Sequence, residues 1–274
     1  MYSPPTNAAD QQRMREAFTR AVITLDATVA GPEVWGWHGR TLSSRVQHPD
    51  RGASWLRLLT TREDNASGKI WDGNRQAATL FDGQVRKPLL YDTADAIGDG
   101  HAYRAELHEY VTEPAVSLSP VLHRDPDPPD SWWDSLRTDL DHVSRVLTDR
   151  VAVRQEWVDR TVPRFLGIPG PRITDWATAH GDLHTANLTS TTPYLLDWEG
   201  FGRAPVSYDA AMLLAYSLLV PAFAQRVRHA FPVLKTDPGR IAQIIVITEL
   251  LQSASRGDHP ELVPALRSLA TDLA

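Results

Sequence analysis

The chain has 274 residues, 42% hydrophobic and 23% charged, so it can build one large or two modest domains around a buried core. A net charge of −6 argues against a nucleic-acid-binding surface, and the absence of cysteine excludes disulfides, thiolate zinc sites and cysteine nucleophiles. The first twenty residues lack a signal-peptide pattern, and the longest apolar run, 210–224, is interrupted and too short to span a bilayer. We therefore expect a cytoplasmic protein with neither membrane nor nucleic-acid partners.

The first part of the chain is predicted to be a small antiparallel sheet with two helices. Apolar residues at helical spacing predict a helix over 10–30, ended by Gly31-Pro32. The other predicted elements are strands at 34–37, 42–46 and 54–60, a helix at 69–81, and strands at 88–91 and 103–111. Residues 1–115 are therefore expected to form a β-rich N-terminal lobe, crossed by one helix and ending in a hinge.

The rest of the chain is predicted to be mostly helical. A connector at 117–130 ends in a run of Asp and Pro, and a helix at 131–150 follows with Leu147 on its buried face. Further helices are predicted at 206–220, 237–253 and 260–273. Residues 116–274 would thus form a larger helical C-terminal lobe, which makes the fold class α+β and bilobal.

The most informative segment is His180-Gly181-Asp182-Leu183-His184-Thr185-Ala186-Asn187, followed by Leu195-Leu196-Asp197-Trp198-Glu199. It places Asp182, then Asn187 five residues later, then Asp197. This order, D-x4-N and then D, is the arrangement that protein kinases use for phosphoryl transfer. One carboxylate orients the attacking hydroxyl, while an amide and a second carboxylate hold Mg²⁺ on the triphosphate. Here the first Asp stands in H-G-D, where protein kinases have H-R-D.

These segments resemble the aminoglycoside phosphotransferase and choline kinase-like family, which has a protein-kinase-like fold. The first segment looks like the catalytic loop of that family, and Leu196-Asp197-Trp198-Glu199 looks like its metal-binding segment. Ser207-Tyr208-Asp209-Ala210-Ala211 is similar to the following helix, whose Asp braces the catalytic loop. Leu107-His108-Glu109-Tyr110-Val111 resembles the hinge strand, whose backbone binds adenine.

The resemblance implies a role for each matching residue. Asp182 would be the catalytic base or hydroxyl orienter, and Asn187 and Asp197 would be ligands of Mg²⁺, which prefers such oxygen donors. His180 and Asp209 would support the loop structurally. In the hinge, Glu109 and Val111 would bind ATP.

The strand position that usually carries a phosphate-binding lysine carries Arg57 here, with Trp55 on the same face. Arginine stays charged and can bind phosphate, although its planar fork differs in length and shape from lysine. Lys69, at the start of the next helix, is another candidate for this role. The helix carboxylate that pairs with the cation would be Asp72, with Glu63 as the other candidate nearby.

Two functions fit this pattern. The first is an ATP- and Mg²⁺-dependent phosphotransferase that acts on a hydroxyl of a small molecule, such as an aminoglycoside-like compound, a sugar-containing metabolite or an amino alcohol. The net acidity mildly favours a cationic acceptor. The second is a catalytically altered kinase fold that acts in binding or in peptide natural-product modification.

A different interpretation of the main motif is a metal cluster. The pattern H-x-D-x-H on a strand would place His180, Asp182 and His184 on one face. That interpretation does not account for Asn187 or Asp197, and His184 alone is more simply a packing and hydrogen-bonding residue.

Overall fold

The computed structural model describes residues 3–273, except for the side chain of Lys69. The α-helices are α1 (Ala8–Thr24), α2 (Lys69–Leu80), α3 (Asp130–Arg145), α4 (Gln155–Leu166), α5 (Tyr208–Tyr216), α6 (Pro221–Ala230), α7 (Asp237–Ala254) and α8 (Val263–Leu273). The strands are β1 (Thr28–Val29), β2 (Val34–Trp35), β3 (Thr41–His48), β4 (Gly52–Arg62), β5 (Leu90–Gly98), β6 (His101–Glu109), β7 (Trp176–Ala179) and β8 (Gly202–Pro205). The predicted α+β class is confirmed.

The chain divides into two compact units. Unit 1 comprises residues 1–78 and 88–112, and unit 2 comprises residues 79–87 and 113–274. The boundary expected near residue 115 lies close to the second division, whereas the sequence pattern does not predict that 79–87 belongs to unit 2. Phe81 explains this assignment, because its ring packs on Trp198 and Phe201 within unit 2 at centroid distances of 4.6 and 5.4 Å.

Unit 1 is built on one antiparallel sheet with the strand order β1-β3-β4-β6-β5, and β2 also pairs with β3. Side chains alternate across a strand, so Leu56 and Leu58 of β4 face one side and Arg57 faces the other. Helix α1 covers the apolar side, where Phe18 and Val22 join a core with both leucines.

Helix α2 carries the side chains that interact with the other face of the sheet. Trp71 joins a small buried cluster with Leu59 of β4 and Ala102 of β6. The guanidinium of Arg104 lies 4.6 Å from the centre of the Trp71 ring and also donates to the Trp71 carbonyl. These contacts fix the helix over strands β4 and β6, near Arg57.

Unit 2 is mostly helical, and its core is centred on α5 and α7. All nine residues of α5 are buried, and α7 packs against α4, α5 and α8. The short antiparallel pair β7–β8 lies beside this core and leads directly into the H-G-D segment. In the part of the chain that the structure describes, no helix is both long enough and apolar enough to cross a membrane.

Several predicted boundaries are wrong for identifiable reasons. Helix α1 ends at Thr24 because Asp26 adopts a positive φ and the chain then enters β1. Helix α3 ends at Arg145 because Val146 is extended, which leaves Leu147 91% exposed instead of buried. The single helix expected at 206–220 is followed by a separate helix α6, which starts at Pro221, a residue suited to the first helical turn. Helix α4 is absent from the sequence prediction.

Candidate active site

The catalytic-loop segment begins directly after β7 and is anchored by a buried carboxylate. Asp209, in the first turn of α5, accepts hydrogen bonds from the backbone N–H groups of His180 (2.7 Å) and Gly181 (2.9 Å). Burial raises the pKa of Asp209, while the His180 side chain and these two N–H donors act in the opposite direction. One side chain therefore fixes the two residues immediately before Asp182.

Gly181 explains why this chain has H-G-D. Its φ of +84° lies in the left-handed region, which glycine adopts without a steric penalty. A Cβ at this position would overlap the backbone carbonyl of Gly200, in the segment that follows Asp197. The absence of a side chain thus lets the segments that carry Asp182 and Asp197 lie in backbone contact, and an arginine could not occupy this position unchanged.

His180 links the same two segments by a side-chain hydrogen bond. Its ring is fully buried, and Nε2 lies 2.9 Å from the carbonyl oxygen of Leu196, the residue before Asp197. Because a carbonyl only accepts, Nε2 carries the proton and donates. The ring also meets Trp198 edge-on at 4.8 Å. His180 therefore links the two segments through this hydrogen bond.

Asn187 is oriented by bonds to its amide nitrogen. Nδ2 donates to the backbone carbonyl of Asp182 at 2.9 Å and lies 3.4 Å from the Asp182 carboxylate. It also lies 3.3 Å from Nε2 of His184. With the nitrogen engaged by protein acceptors, the amide oxygen is the atom presented as a ligand. The Asn187 carbonyl accepts from Leu196 N–H at 2.9 Å, which holds Asn187 next to the residue before Asp197.

Asp197 lies in a turn with a left-handed backbone. Its φ of +58° is uncommon for a residue with a side chain, although Asp adopts it more readily than most residues. The following backbone is fixed by Arg150, whose guanidinium donates to the carbonyls of Phe201 (2.9 Å) and Glu199 (3.0 Å). The same guanidinium lies 4.2 Å from the centre of the Phe201 ring. No pattern in the sequence singles out Arg150 for this role.

The donor set fits Mg²⁺ held jointly with phosphate. An amide oxygen and a carboxylate are hard oxygen ligands, and Mg²⁺ in nucleotide sites takes few protein ligands beside waters and phosphate oxygens. Across residues 3–273, no group of three or more His, Asp or Glu side chains is arranged to hold a metal ion alone. The H-x-D-x-H metal cluster is therefore ruled out, since Nε2 of His180 is bonded to a carbonyl.

In unit 1, Asp72 has cationic partners on β6 and on its own helix. It binds Arg104 (3.2 Å) and Arg75 (3.1 Å) and accepts from the backbone of Gly68. Arg104 is a nearly fully buried cation on β6, which needs counter-charges and takes both Asp72 and Asp95. A role for Asp72 beside Arg57 stays a prediction.

The carboxylate that Arg57 does meet is Glu106, which sequence reasoning misses. The two residues are directly opposite on β4 and β6, and Nη1 of Arg57 lies 3.1 Å from Oε2 of Glu106. Asn74 of α2 donates to the same oxygen at 2.8 Å. The alternation of Tyr103-Arg104-Ala105-Glu106-Leu107 could have shown that two charged residues face one side of a strand, but not which residue each would meet.

The remaining sequence candidates lie at the edges of unit 1. Glu109 is the last residue of β6, and it exchanges two hydrogen bonds with Leu89 through its backbone and side chain. Val111 follows the strand, and Tyr110 between them stacks on Trp55 at 6.3 Å. Glu63 is exposed in a short 3-10 turn, and the side chain of Lys69 lies outside the described part of the chain.

A sheet unit, a helical unit, and a loop that presents Asp182, Asn187 and Asp197 define a phosphotransferase of the protein-kinase-like fold. The profile of the phosphotransferase enzyme family matches residues 70–243, which is more than half of the chain. The chain belongs to this family and is a phosphotransferase, so the family, fold and enzyme class predicted from the sequence are confirmed. No curated protein matches the chain significantly.

Solved structures show the same fold at low sequence identity. A thermostable mutant of aminoglycoside phosphotransferase APH(4)-Ia, in a complex with ADP and hygromycin B, is 12% identical with a TM-score of 0.59, covering 93% of this chain and 96% of that one. A protein assigned as a fructosamine-3-kinase, from Haemophilus somnus, is 12% identical with a TM-score of 0.56, covering 96% and 98%. Spectinomycin phosphotransferase APH(9)-Ia, with ADP and spectinomycin, is 10% identical with a TM-score of 0.53, covering 86% and 84%.

Proposed function

We propose that this protein is an ATP- and Mg²⁺-dependent kinase that phosphorylates a hydroxyl group of a small molecule. The observation that carries the proposal is the set of bonds around Asp182, Asn187 and Asp197. Asp209, His180 and Arg150 hold that set in a fixed arrangement. Preorganised oxygen ligands and a positioned carboxylate are what phosphoryl transfer requires of a protein. Because the proposed donor is intracellular, the proposal places the enzyme in the cytoplasm.

Each residue has a defined part in the proposed reaction. Asp182 orients the acceptor hydroxyl and takes its proton as the oxygen forms a bond to the γ-phosphorus and the bond to the β-phosphate oxygen breaks. Asn187 and Asp197 would hold Mg²⁺, which would neutralise charge on the phosphate oxygens. Arg57 would bind phosphate, and the backbone at Glu109 and Val111 would bind the adenine base.

A positively charged acceptor is supported by the carboxylates that surround Tyr208. Tyr208, next to Asp209, donates a hydrogen bond to Glu249 of α7. Burial raises the pKa of Tyr208 well above its usual value, and the charges of Glu249, Asp182 and Asp209 add to this rise. Three carboxylates thus act on one buried phenol. A small molecule with an amino group beside its reactive hydroxyl would match this local negative charge.

The first test of the proposal is nucleotide binding. Wild-type protein with ATP and Mg²⁺ at 100 times the dissociation constant should gain about 2.7 kcal/mol of unfolding free energy, measured as a thermal shift. The Asp197→Asn variant should lose the Mg²⁺-dependent part of that shift, because one metal ligand is weakened. A wild-type protein that shows no shift at millimolar ATP would support the alternative, a kinase fold altered for binding.

The second test separates binding from transfer. Asp182→Asn should keep its ATP affinity within a few-fold, since the change is nearly isosteric, while phosphate transfer falls by about 10²–10⁴. Transfer would be measured as ADP release with hygromycin B, spectinomycin and simple amino alcohols as acceptors, against their counterparts without an amino group. Near-normal turnover of Asp182→Asn would remove Asp182 from its proposed role.

A further inference from the structure

Glu106 is the most deeply buried carboxylate in unit 1 with a cationic partner. Its side chain is 1% exposed, and its Oε2 lies within 3.1 Å of Arg57 Nη1, 2.8 Å of Asn74 Nδ2 and 3.4 Å of His108 Nε2. One oxygen thus meets groups from β4, β6 and α2. Taking an ionised carboxylate out of water is costly, so this concentration of partners is needed to keep it charged.

These partners keep the Glu106 carboxylate ionised. Burial alone would raise the pKa of Glu106, but the positive charge of Arg57, together with the bonds from His108 and Asn74, outweighs it and lowers the pKa to about 2. Glu106 is therefore ionised throughout the physiological range. Arg57 in turn has a permanent counter-charge directly across the sheet, at a position fixed by strand pairing.

Helix α2 supplies an amide where kinases usually supply a carboxylate. In protein kinases, a glutamate on the helix pairs with the strand lysine, and that pair must be assembled for activity. Here Asn74 of α2 donates to Glu106, while the acidic residue of the first turn, Asp72, is bound to Arg104. The carboxylate that pairs with Arg57 therefore lies on the neighbouring strand β6, as Glu106, whereas in protein kinases it lies on the helix.

We infer that Glu106 is the positioning residue for Arg57 and holds its guanidinium for nucleotide phosphate. This inference rests on the proposed function, because it takes Arg57 as the phosphate-binding cation. Pairing within the sheet makes the orientation of Arg57 depend on strand register and not on a helix carboxylate. Arginine suits this arrangement, because its guanidinium carries five N–H donors in a rigid fork, and the contact with Glu106 is made through Nη1.

The structure allows an isosteric test. Glu106→Gln removes the charge with little change of shape, and Asn74→Asp restores a carboxylate on the other side of the 2.8 Å hydrogen bond. We expect Glu106→Gln to weaken Mg²⁺-ATP binding at least 10-fold, and the double variant Glu106→Gln/Asn74→Asp to return to within about 3-fold of wild type. Affinity would be measured by calorimetry on samples whose circular dichroism shows them to be folded.

Asp95→Asn is the matched control. Asp95 is also a carboxylate of the sheet bonded to a cross-strand arginine, at 2.6 Å from Arg104, but it lies outside the Glu106 cluster. The Asp95→Asn variant should bind ATP with the same affinity as wild type. If wild type binds ATP and Glu106→Gln binds equally well, the inference is overturned and the proposed function stands. A folded double variant as weak as Glu106→Gln would also overturn it. A wild type that does not bind ATP would remove the proposed function first, and the inference with it.

Discussion

At Gly181 a single missing side chain determines how two functional segments meet. The residue before Asp182 has a left-handed φ, and its Cα faces the carbonyl of Gly200, three residues after Asp197. Any Cβ would push the segments that carry Asp182 and Asp197 apart. Glycine in H-G-D, unlike the arginine of H-R-D, thus lets the backbones at residues 181 and 200 approach closely. We expect this close approach to influence the distance between Asp182 and Asp197.

Gly181→Ala should therefore reduce stability and activity more than the addition of one methyl group normally would. Gly83 offers a control, since it also has a positive φ, +66°, but a Cβ there would have no atom of the described residues within 4 Å. Gly83→Ala should cost about 1–2 kcal/mol for its backbone conformation alone. Gly181→Ala should cost clearly more in urea unfolding and should abolish transfer. Equal losses of stability in the two variants would contradict the proposed backbone contact.

At the scale of elements, the segment from Leu195 to Gly202 is held from three directions. His180 bonds the Leu196 carbonyl, Asn187 accepts from the Leu196 N–H, and Arg150 binds two carbonyls beyond Asp197. Arg150 lies in the connection between α3 and α4, so a part of the chain remote from the motif contributes to the position of Asp197, the proposed metal ligand. This explains how an uncommon backbone conformation at Asp197 is maintained.

Replacing Arg150 with lysine should weaken Mg²⁺ dependence more than stability. Lysine keeps the charge but lacks the planar fork that donates to two carbonyls and stacks on Phe201. We expect the Mg²⁺ concentration for half-maximal activity to rise about 3- to 10-fold, consistent with the loss of one hydrogen bond. Arg145→Lys is the control, because that side chain is 70% exposed in a surface ion pair. An unchanged Mg²⁺ requirement in Arg150→Lys would argue against this role.

The elements also show what sequence can reveal. Helices α2 and α7 lie within one residue of their predicted bounds, 69–81 and 237–253, and α7 begins at a clear start signal, with Thr236 as the N-cap and Pro238 in the first turn. Helix α4 escapes prediction because its buried positions, Val158 and Val162, are few, and Pro163 resembles a helix breaker. Local pattern therefore identifies long elements well and short or interrupted ones poorly.

The same distinction holds for the site. Asp182, Asn187 and Asp197 can be proposed from sequence because they lie within sixteen residues and their order is characteristic, and hydrogen bonds in the structure connect the segments that carry them. Glu106 cannot be assigned to Arg57 in this way, because the two are 49 positions apart and meet only through the register of β4 and β6. Pairing across a sheet depends on strand order, and one residue of slippage would turn Glu106 to the other face.

At the scale of the whole molecule, Glu106 should make stability depend on pH. Its pKa is about 2 in the folded protein against 4.5 for the ordinary group. A lowered pKa means that the folded state favours the ionised form, so the stabilisation is complete above pH 4.5 and is lost as pH falls toward 2. Its size is on the order of 3 kcal/mol.

The pH prediction is tested by a comparison of two proteins. The difference in unfolding free energy between wild type and Glu106→Gln, from urea titrations between about pH 7 and pH 3, should stay constant above about pH 5 and shrink below it. Taking the difference cancels the contribution of the other carboxylates to the pH dependence, because they titrate in both proteins. A difference that is unchanged across this range would show that Glu106 is not held as an ion pair.

The assignment of residues 79–87 has a consequence for recombination between relatives. Unit 2 includes Phe81, a fully buried ring that packs on Trp198 next to Asp197, although the chain returns to unit 1 after this segment. A chimera joined at residue 112 would thus give unit 2 a foreign segment beneath Trp198. Exchange of whole units between relatives should succeed only when residues 79–87 are transferred together with 113–274, so the exchangeable unit is discontinuous in the sequence.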